Sequence, residues 1–313
     1  MKEPKWHKKA IKLAKTTTLS WREISRQVGV DATLTRNLFK KNKLPNLGLK
    51  AVAKKKKILL FDIETAPMTH FNWGRWDQNV FQDQVIEESY MLTWAAKWLD
   101  SDTVISDANW NYPKYKKDKR CDKAICKSLW KILNEADIII GHNGDKFDKA
   151  VSYTRFLYHG LTPPHPSKSV DTLKIAKRSF RFPSNKLADL AIYLGLRKKL
   201  DTGGFNLWKK CLDGDKASQK TMELYNQQDV YVLQDLYLKL RPWDNQHPNV
   251  TANPDETERC VACGSNKLTN QKRLVYTGTG AYDTLRCREC GKVNRRKKSM
   301  IGKEAKILRN AGK

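Results

Sequence analysis

Apolar positions along this chain come in two rhythms. Ile58-Leu59-Leu60-Phe61-Asp62-Ile63-Glu64-Thr65 is an apolar run of strand length interrupted by two acids. Side chains alternate along a strand, so Asp62 and Glu64 project from the same face. Residues 90–98 predict a second core strand, and residues 137–143 a buried strand running out into a polar turn. Gly144-Asp145-Lys146-Phe147-Asp148 then leads into a helix carrying Val151, Phe156 and Leu157, with Asp148 in its first turn. The helical period is longest over residues 216–240, where Met222, Tyr225, Asp229, Leu233, Leu236 and Leu240 share one side.

The front of the chain is helical and basic. Residues 6–16 predict a helix with Ile11 and Leu13 among lysines, and Ser20 with Glu23 has the spacing of a capping box. A short helix over 21–27 would end at Gly29, and a second, over 31–41, has Leu34 and Leu38 on one face. Its other positions, Thr35, Arg36, Asn37 and Lys40, together with Arg22, are the candidate nucleic-acid contacts. Helix, glycine-containing turn, helix is the helix-turn-helix order, and residues 21–30 resemble that motif. The plainer alternative is a basic helical hairpin that tethers without reading bases. Pro45, Gly48 and a four-lysine run mark the stretch up to residue 57 as linker.

Charge sharpens this division. The 313 residues carry 60 Lys+Arg and 33 Asp+Glu, a formal net charge of +27. Residues 1–57 hold 17 basic and 3 acidic side chains (net +14), residues 58–249 hold 28 and 24 (net +4), and residues 250–313 hold 15 and 6 (net +9). Two basic ends around a nearly neutral centre suggest two grips on a polyanion, with nucleic acid the natural partner. No run approaches the roughly 20 apolar residues that span a bilayer, and the first residues lack an apolar signal core. The expectation is an intracellular protein without a membrane partner.

The acids of the middle segment carry candidate chemistry. Carboxylates beside an apolar core repel each other and are costly to desolvate unless a cation neutralises them; magnesium or manganese suit oxygen ligands. An exposed strand end whose acids meet water is the competing reading of Asp62 and Glu64. Asp229 weakens it, since an aspartate within an apolar stripe needs a partner.

Phe-Asp-Ile-Glu-Thr (61–65), His-Asn-Gly-Asp-Lys-Phe-Asp (142–148) and Tyr-Asn-Gln-Gln-Asp (225–229) together resemble the three exonuclease motifs of the DnaQ-like, ribonuclease-H-fold superfamily. The last has the spacing of the tyrosine-bearing DEDDy branch, found in B-family polymerase proofreading domains and RNase D. The sister branch puts His five residues before the final Asp, where this chain has Leu224. Residues 170–173 and 186–191 are also similar to this superfamily, particularly its stand-alone and phage members. The resemblance implies an α/β, ribonuclease-H-like mixed sheet flanked by helices. It implies that Asp62, Glu64, Asp148 and Asp229 hold two Mg2+ or Mn2+ ions flanking a terminal phosphodiester, with Tyr225 orienting the attacking water. Nucleoside 5′-monophosphates released from a 3′ end are the expected products. Asn143 joins the candidate nucleic-acid contacts; Asp145 and Asp171 are expected in the turn and at a strand end or cap, outside the metal set.

Phe71-Asn72-Trp73-Gly74-Arg75-Trp76 could stack unpaired bases, but with ten Trp to house, hydrophobic packing is the expectation. Phe180-Arg181-Phe182 is open between the same two roles, and Arg197, Lys198 and Lys199 are expected on a solvated surface.

Four of seven cysteines stand as Cys260-Val-Ala-Cys263-Gly and Cys287-Arg-Glu-Cys290-Gly, with 23 residues between the pairs. Each pair is a turn that aims two thiolates at one point, and two such turns complete a tetrahedral site. A disulfide reading conflicts with the absence of a signal peptide. The outline resembles a zinc ribbon holding one structural Zn2+, with a hairpin between the pairs and Arg295 and Arg296 opening a basic, phosphate-contacting extension. Cys121, Cys126 and Cys211 are expected to be ordinary thiols.

The expected layout is a helix-turn-helix-like module over 1–50, a linker over 51–57, the exonuclease domain over 58–240, a linker over 241–258, and the ribbon with its tail over 259–313. The expected function is a metal-dependent 3′–5′ exonuclease on DNA, favoured over RNA. An RNA 3′-processing nuclease and a catalytically silent nucleic-acid-binding regulator are the alternatives.

Overall fold

The acid-bearing run forms β1 (Ile58–Thr65) at the centre of a five-stranded sheet. Its neighbours are β4 (Met91–Trp98), antiparallel, and β6 (Ile138–Gly141), parallel. The sheet is completed by β5 (Ile105–Ala108) antiparallel to β4 and β7 (Lys168–Asp171) parallel to β6, giving the order β5-β4-β1-β6-β7. This computed structural model describes residues 4–16, 19, 21–42, 56–76, 79–251, 258–278 and 280–301. Ser20, the linker lysines up to residue 55 and the tail beyond 301 lie outside the described residues. The chain divides into two compact units, residues 1–55 with 249–266 and residues 56–248 with 267–313.

Alternation along β1 separates a core face from a site face. Leu59, Phe61 and Ile63 are buried against Ile125, Leu129 and Leu133 of α4 (Lys123–Leu133) and Phe156 of α5 (Asp148–Tyr158). Full burial stabilises by roughly 1.5–3 kcal/mol per large apolar side chain, so this layer anchors the strand. The intervening residues face α9 (Lys216–Leu240), which packs on β1 and β4 with Met222, Val230, Leu233, Leu236 and Leu240 buried. Shorter helices α6 (Thr172–Ser179), α7 (Leu187–Tyr193) and α8 (Asn206–Asp213) contact α9. Between β1 and β4 the chain makes an excursion closed by the short strands β2 (Thr69–His70) and β3 (Val85–Glu87).

Part of the expected linker after α9 is packed. Asp244 is buried against Arg178 at 2.5 Å, and His247 bonds to Tyr237 Oη at 2.9 Å. Pro242 follows the end of the helix, while these two polar side chains find partners on the core.

In the other unit, α1 (Lys5–Thr16), α2 (Trp21–Val28) and α3 (Ala32–Lys41) bury Ala10, Ala14, Ile24, Leu38 and Phe39 together. Asp31 caps α3 by accepting from the Thr33 amide at 2.6 Å. The buried stripe of α3 is Thr35, Leu38 and Phe39, whereas Leu34 is 52% exposed. Thr35, expected on another face from Leu38, instead shares the buried stripe, because it lies one turn before Phe39.

Toward the carboxy end, β8 (Leu268–Thr277), β9 (Gly280–Cys287) and β10 (Val293–Arg295) form an antiparallel three-stranded sheet. Among the described residues no helix is long and apolar enough to cross a membrane.

Candidate metal and nucleic-acid site

On the α9 side of β1, carboxylate oxygens of Asp62, Glu64 and Asp229 lie within 4.8 Å of one another. The pairing of β1 with β4 shifts register between Glu64 and Thr65, an irregularity of the kind that re-aims a side chain at a strand end. Tyr225 stands one turn before Asp229 on α9. Asp148, the first residue of α5, is buried outside that tight trio, and its Oδ1 accepts from the Ile63 amide at 3.1 Å.

Crowding controls the protonation of these acids. Burial, and then the charges of Asp148, Glu64 and Asp229, push Asp62 well above the usual carboxylate range. Burial, reinforced by the charge of Asp229, raises Glu64 to about 8, and burial raises Asp148 to about 7. Asp62 and Glu64 are only half-buried by surface area, but protein atoms surround their carboxyl groups. Asp229 is also raised by burial, with Lys199 working against the shift. Asp229 Oδ1 is buried with no hydrogen-bond partner among the described residues. An orphaned buried carboxylate oxygen beside two further carboxylates fits a divalent cation held by hard oxygen donors.

Two further side chains meet these acids. Asn226 is fully buried; its Nδ2 donates to Asp62 Oδ2 at 2.7 Å, while its Oδ1 accepts from Thr93 Oγ1 at 3.1 Å. Its place beside Tyr225 in the third motif was the available signal. Lys199, expected on the surface, has its Nζ 2.5 Å from Asp229 Oδ2 and donates to Tyr225 Oη at 3.0 Å. That expectation is corrected, and no spacing in the sequence ties residue 199 to α9. Arg197 pairs with Asp235 at 2.9 Å, and Lys198 is exposed.

Around the second motif, Asn143 adopts a left-handed backbone (φ 64), which asparagine tolerates better than most residues. Its amide donates to Asp171 Oδ1 at 2.9 Å, and the same oxygen accepts from the Leu173 amide at 3.0 Å as the cap of α6. Asp145 pairs with Lys174 at 2.5 Å. His142 bonds through its two ring nitrogens to Thr172 Oγ1 and the Asn185 carbonyl, each at 2.9 Å. These bonds hold the turn that delivers Asp148.

The aromatic rings of the excursion stay exposed. Phe71 is 71% exposed, Trp73 96%, Trp76 82% and Phe81 66%. Phe71, Trp73 and Phe81 line a cavity of about 910 Å³ with Asn72, Asn79, Asp83 and Gln84. The packing expectation is corrected here, because the chain leaves the core at Ala66 and rejoins it at Tyr90, and none of the described residues between them is buried. By contrast, Phe180 and Phe182 pack with each other and with Trp243 and Tyr193, at ring separations of 5.1–5.5 Å.

The ligand atoms of Cys260, Cys263, Cys287 and Cys290 lie within 4.8 Å of one another. Each pair sits in the same local turn. Gly264 N–H donates to the Cys260 carbonyl at 2.9 Å and Gly291 N–H to the Cys287 carbonyl at 3.0 Å. Both glycines are left-handed, at φ 80 and φ 82, where a side chain would strain the turn. Four sulfur donors converging in this way fit a tetrahedral zinc ion. Cys126 and Cys211 are buried thiols with pKa values pushed up by burial.

Among the remaining candidate nucleic-acid contacts, Arg22, Arg36, Asn37 and Lys40 are exposed. Thr35 is corrected: it is wholly buried, and its hydroxyl donates to the Asp31 carbonyl at 3.4 Å. Arg295 is exposed over the Tyr282 ring, and Arg296 pairs with Asp283 at 3.2 Å.

Residues 87–241 match the family model described as RNase_H superfamily, a span that includes Asp148, Lys199, Tyr225 and Asp229 and begins after β1. Among solved structures, the chain is similar to the family B DNA polymerase from the hyperthermophilic archaeon Pyrobaculum calidifontis. The identity is 19% and the TM-score 0.44, over 60% of this chain and 25% of the polymerase, so the match spans a quarter of that protein. No curated protein sequence matches. An RNase H superfamily domain thus occupies residues 87–241, and the mixed five-stranded sheet flanked by helices is ribonuclease-H-like.

Proposed function

We propose that this protein is a metal-dependent 3′–5′ exonuclease that removes nucleoside 5′-monophosphates from DNA ends. The observation that carries the reading is the convergence of Asp62, Glu64 and Asp229, with a bare Asp229 oxygen, on a ribonuclease-H-like sheet. The family match supports nuclease-type chemistry and a nucleic-acid substrate.

Asp62, Glu64, Asp148 and Asp229 would hold two magnesium or manganese ions, which supply water activation and charge neutralisation at the phosphodiester. Asn226 keeps Asp62 oriented. Burial raises the Tyr225 pKa, so its phenol stays protonated and positions the attacking water by hydrogen bonding rather than acting as a strong base. The exposed rings of the 71–81 excursion would stack the unpaired bases of the strand being shortened. The Cys260–Cys290 set would hold one structural zinc, and Arg22, Arg36 and Lys40 would meet phosphates.

End-labelled single strands incubated with Mg2+ or Mn2+ test the reading. Mononucleotide release that disappears in Asp62→Ala, with binding retained, is expected. Binding without cleavage in any divalent ion would instead favour a silent nucleic-acid-binding protein. A ribose-terminated strand cleaved faster than its deoxyribose twin would reassign the substrate to RNA.

A further inference from the structure

We propose that Lys199 is a positioning residue of the acid site, one ammonium that holds Asp229 by Oδ2 and Tyr225 by Oη and so leaves Asp229 Oδ1 as the oxygen presented to a divalent cation. The proposal rests on the nuclease reading above and adds a residue to it.

The two oxygens of Asp229 have different environments. Oδ2 is 2.5 Å from Lys199 Nζ, and Oδ1 has no hydrogen-bond partner among the described residues. One oxygen is thus neutralised while the other is left for a further cation. The ammonium is a compact charge with three donors, and it directs a second one to Tyr225 Oη at 3.0 Å. A phenol oxygen that accepts from an ammonium keeps its own proton to donate. Lys199 thus orients the tyrosine as a donor and lowers the charge repulsion that Asp229 exerts on Asp62 and Glu64.

The segment bearing Lys199 is fastened to α9 at three consecutive residues. Arg197 pairs with Asp235 at 2.9 Å and lies over the Tyr231 ring, and the Lys198 carbonyl accepts from Gln228 Nε2 at 3.1 Å. Lys199 then reaches Asp229 and Tyr225. A backbone stapled to the helix that supplies both partners is built to keep its side chain in place when a cation arrives.

Two measurements on the full chain test this. In the first, lysines are acylated with an amine-reactive reagent and read by mass spectrometry, with and without Mg2+. Lys199 is expected to stay protected in both conditions, while its exposed neighbour Lys198 is labelled. Labelling of Lys199 at the Lys198 rate once Mg2+ is added would mean that the ammonium leaves for the cation, and overturns the proposal. In the second, kcat and KM are measured separately at saturating Mn2+. Lys199→Met is expected to lower kcat by about 10²-fold, the scale of a misplaced reacting group, with KM nearly unchanged. Lys199→Arg should recover part of the loss, and Lys199→Met should cost little more on a Tyr225→Phe background, because both act through one unit. Wild-type kcat in Lys199→Met, or additive losses, would also overturn it. If the wild-type chain cleaves nothing, the nuclease reading fails, and the labelling result still decides whether Lys199 is clamped.

Discussion

Asn226 Nδ2 donates to Asp62 Oδ2 at 2.7 Å, so the residue after the site tyrosine on α9 holds the first acid of β1. The same amide accepts from Thr93 on β4, and three elements meet at one buried side chain. Partners that orient metal-ligand carboxylates typically matter about 10–100-fold for metal affinity.

Asn226→Ala should therefore weaken Mn2+ binding by about tenfold or more, and cost about 1–3 kcal/mol of stability through the groups left unpaired. Calorimetric titration and thermal unfolding check the two effects. Wild-type Mn2+ affinity in this variant would remove Asn226 from the site.

Metal binding should depend on pH. Glu64 moves from an ordinary 4.5 to about 8, and Asp148 from 3.8 to about 7. Over these windows the folded, cation-free protein keeps protons that the unfolded chain has released. Stability in chelator should therefore fall as pH rises toward about 8. A divalent ion favours the ionised acids, so its binding releases protons and tightens over the same range. Unfolding midpoints compared at about pH 6 and about pH 8 should give a larger Mn2+-induced rise at the higher pH, and an equal rise would refute the linkage.

The exposed rings predict a single-strand platform. Trp73→Ala and Phe71→Ala should each weaken binding of an unpaired strand by about 1–3 kcal/mol, and leave a blunt duplex less affected. Fluorescence anisotropy measures both. Unchanged affinity for single strands would assign the excursion another role.

One zinc per chain is expected by metal analysis, lost in Cys260→Ser. Stripping it should unfold the segment around the cysteines while the Mn2+ response of the acids persists, because a polar segment with so small a core depends on its metal.

Arg22→Ala, Arg36→Ala and Lys40→Ala combined should flatten the dependence of binding on salt, by up to about 0.7 for each phosphate of a single strand that is no longer neutralised. An unchanged slope would mean that the helical module does not grip phosphates.

Much of this was legible from local chemistry. Side-chain alternation along β1 made Asp62 and Glu64 neighbours on one face, and the helical period along α9 put Tyr225 and Asp229 on one side. Two Cys-x-x-Cys-Gly turns are local geometry, and their glycines have the left-handed backbone such turns need. Only the tertiary structure decided Lys199, Asn226 and the aromatic excursion. Whether a lysine is solvated or set against a carboxylate depends on which elements pack together, and residue 199 meets Asp229 across 30 positions of chain. Exposure of Phe71 and Trp73 likewise depends on the excursion leaving the sheet, since a ring's apolar character is the same whether it is packed or bare. Thr35 marks the same limit on a smaller scale: the helix period fixes which residues share a face, while the partners packed on that face decide which stripe is buried.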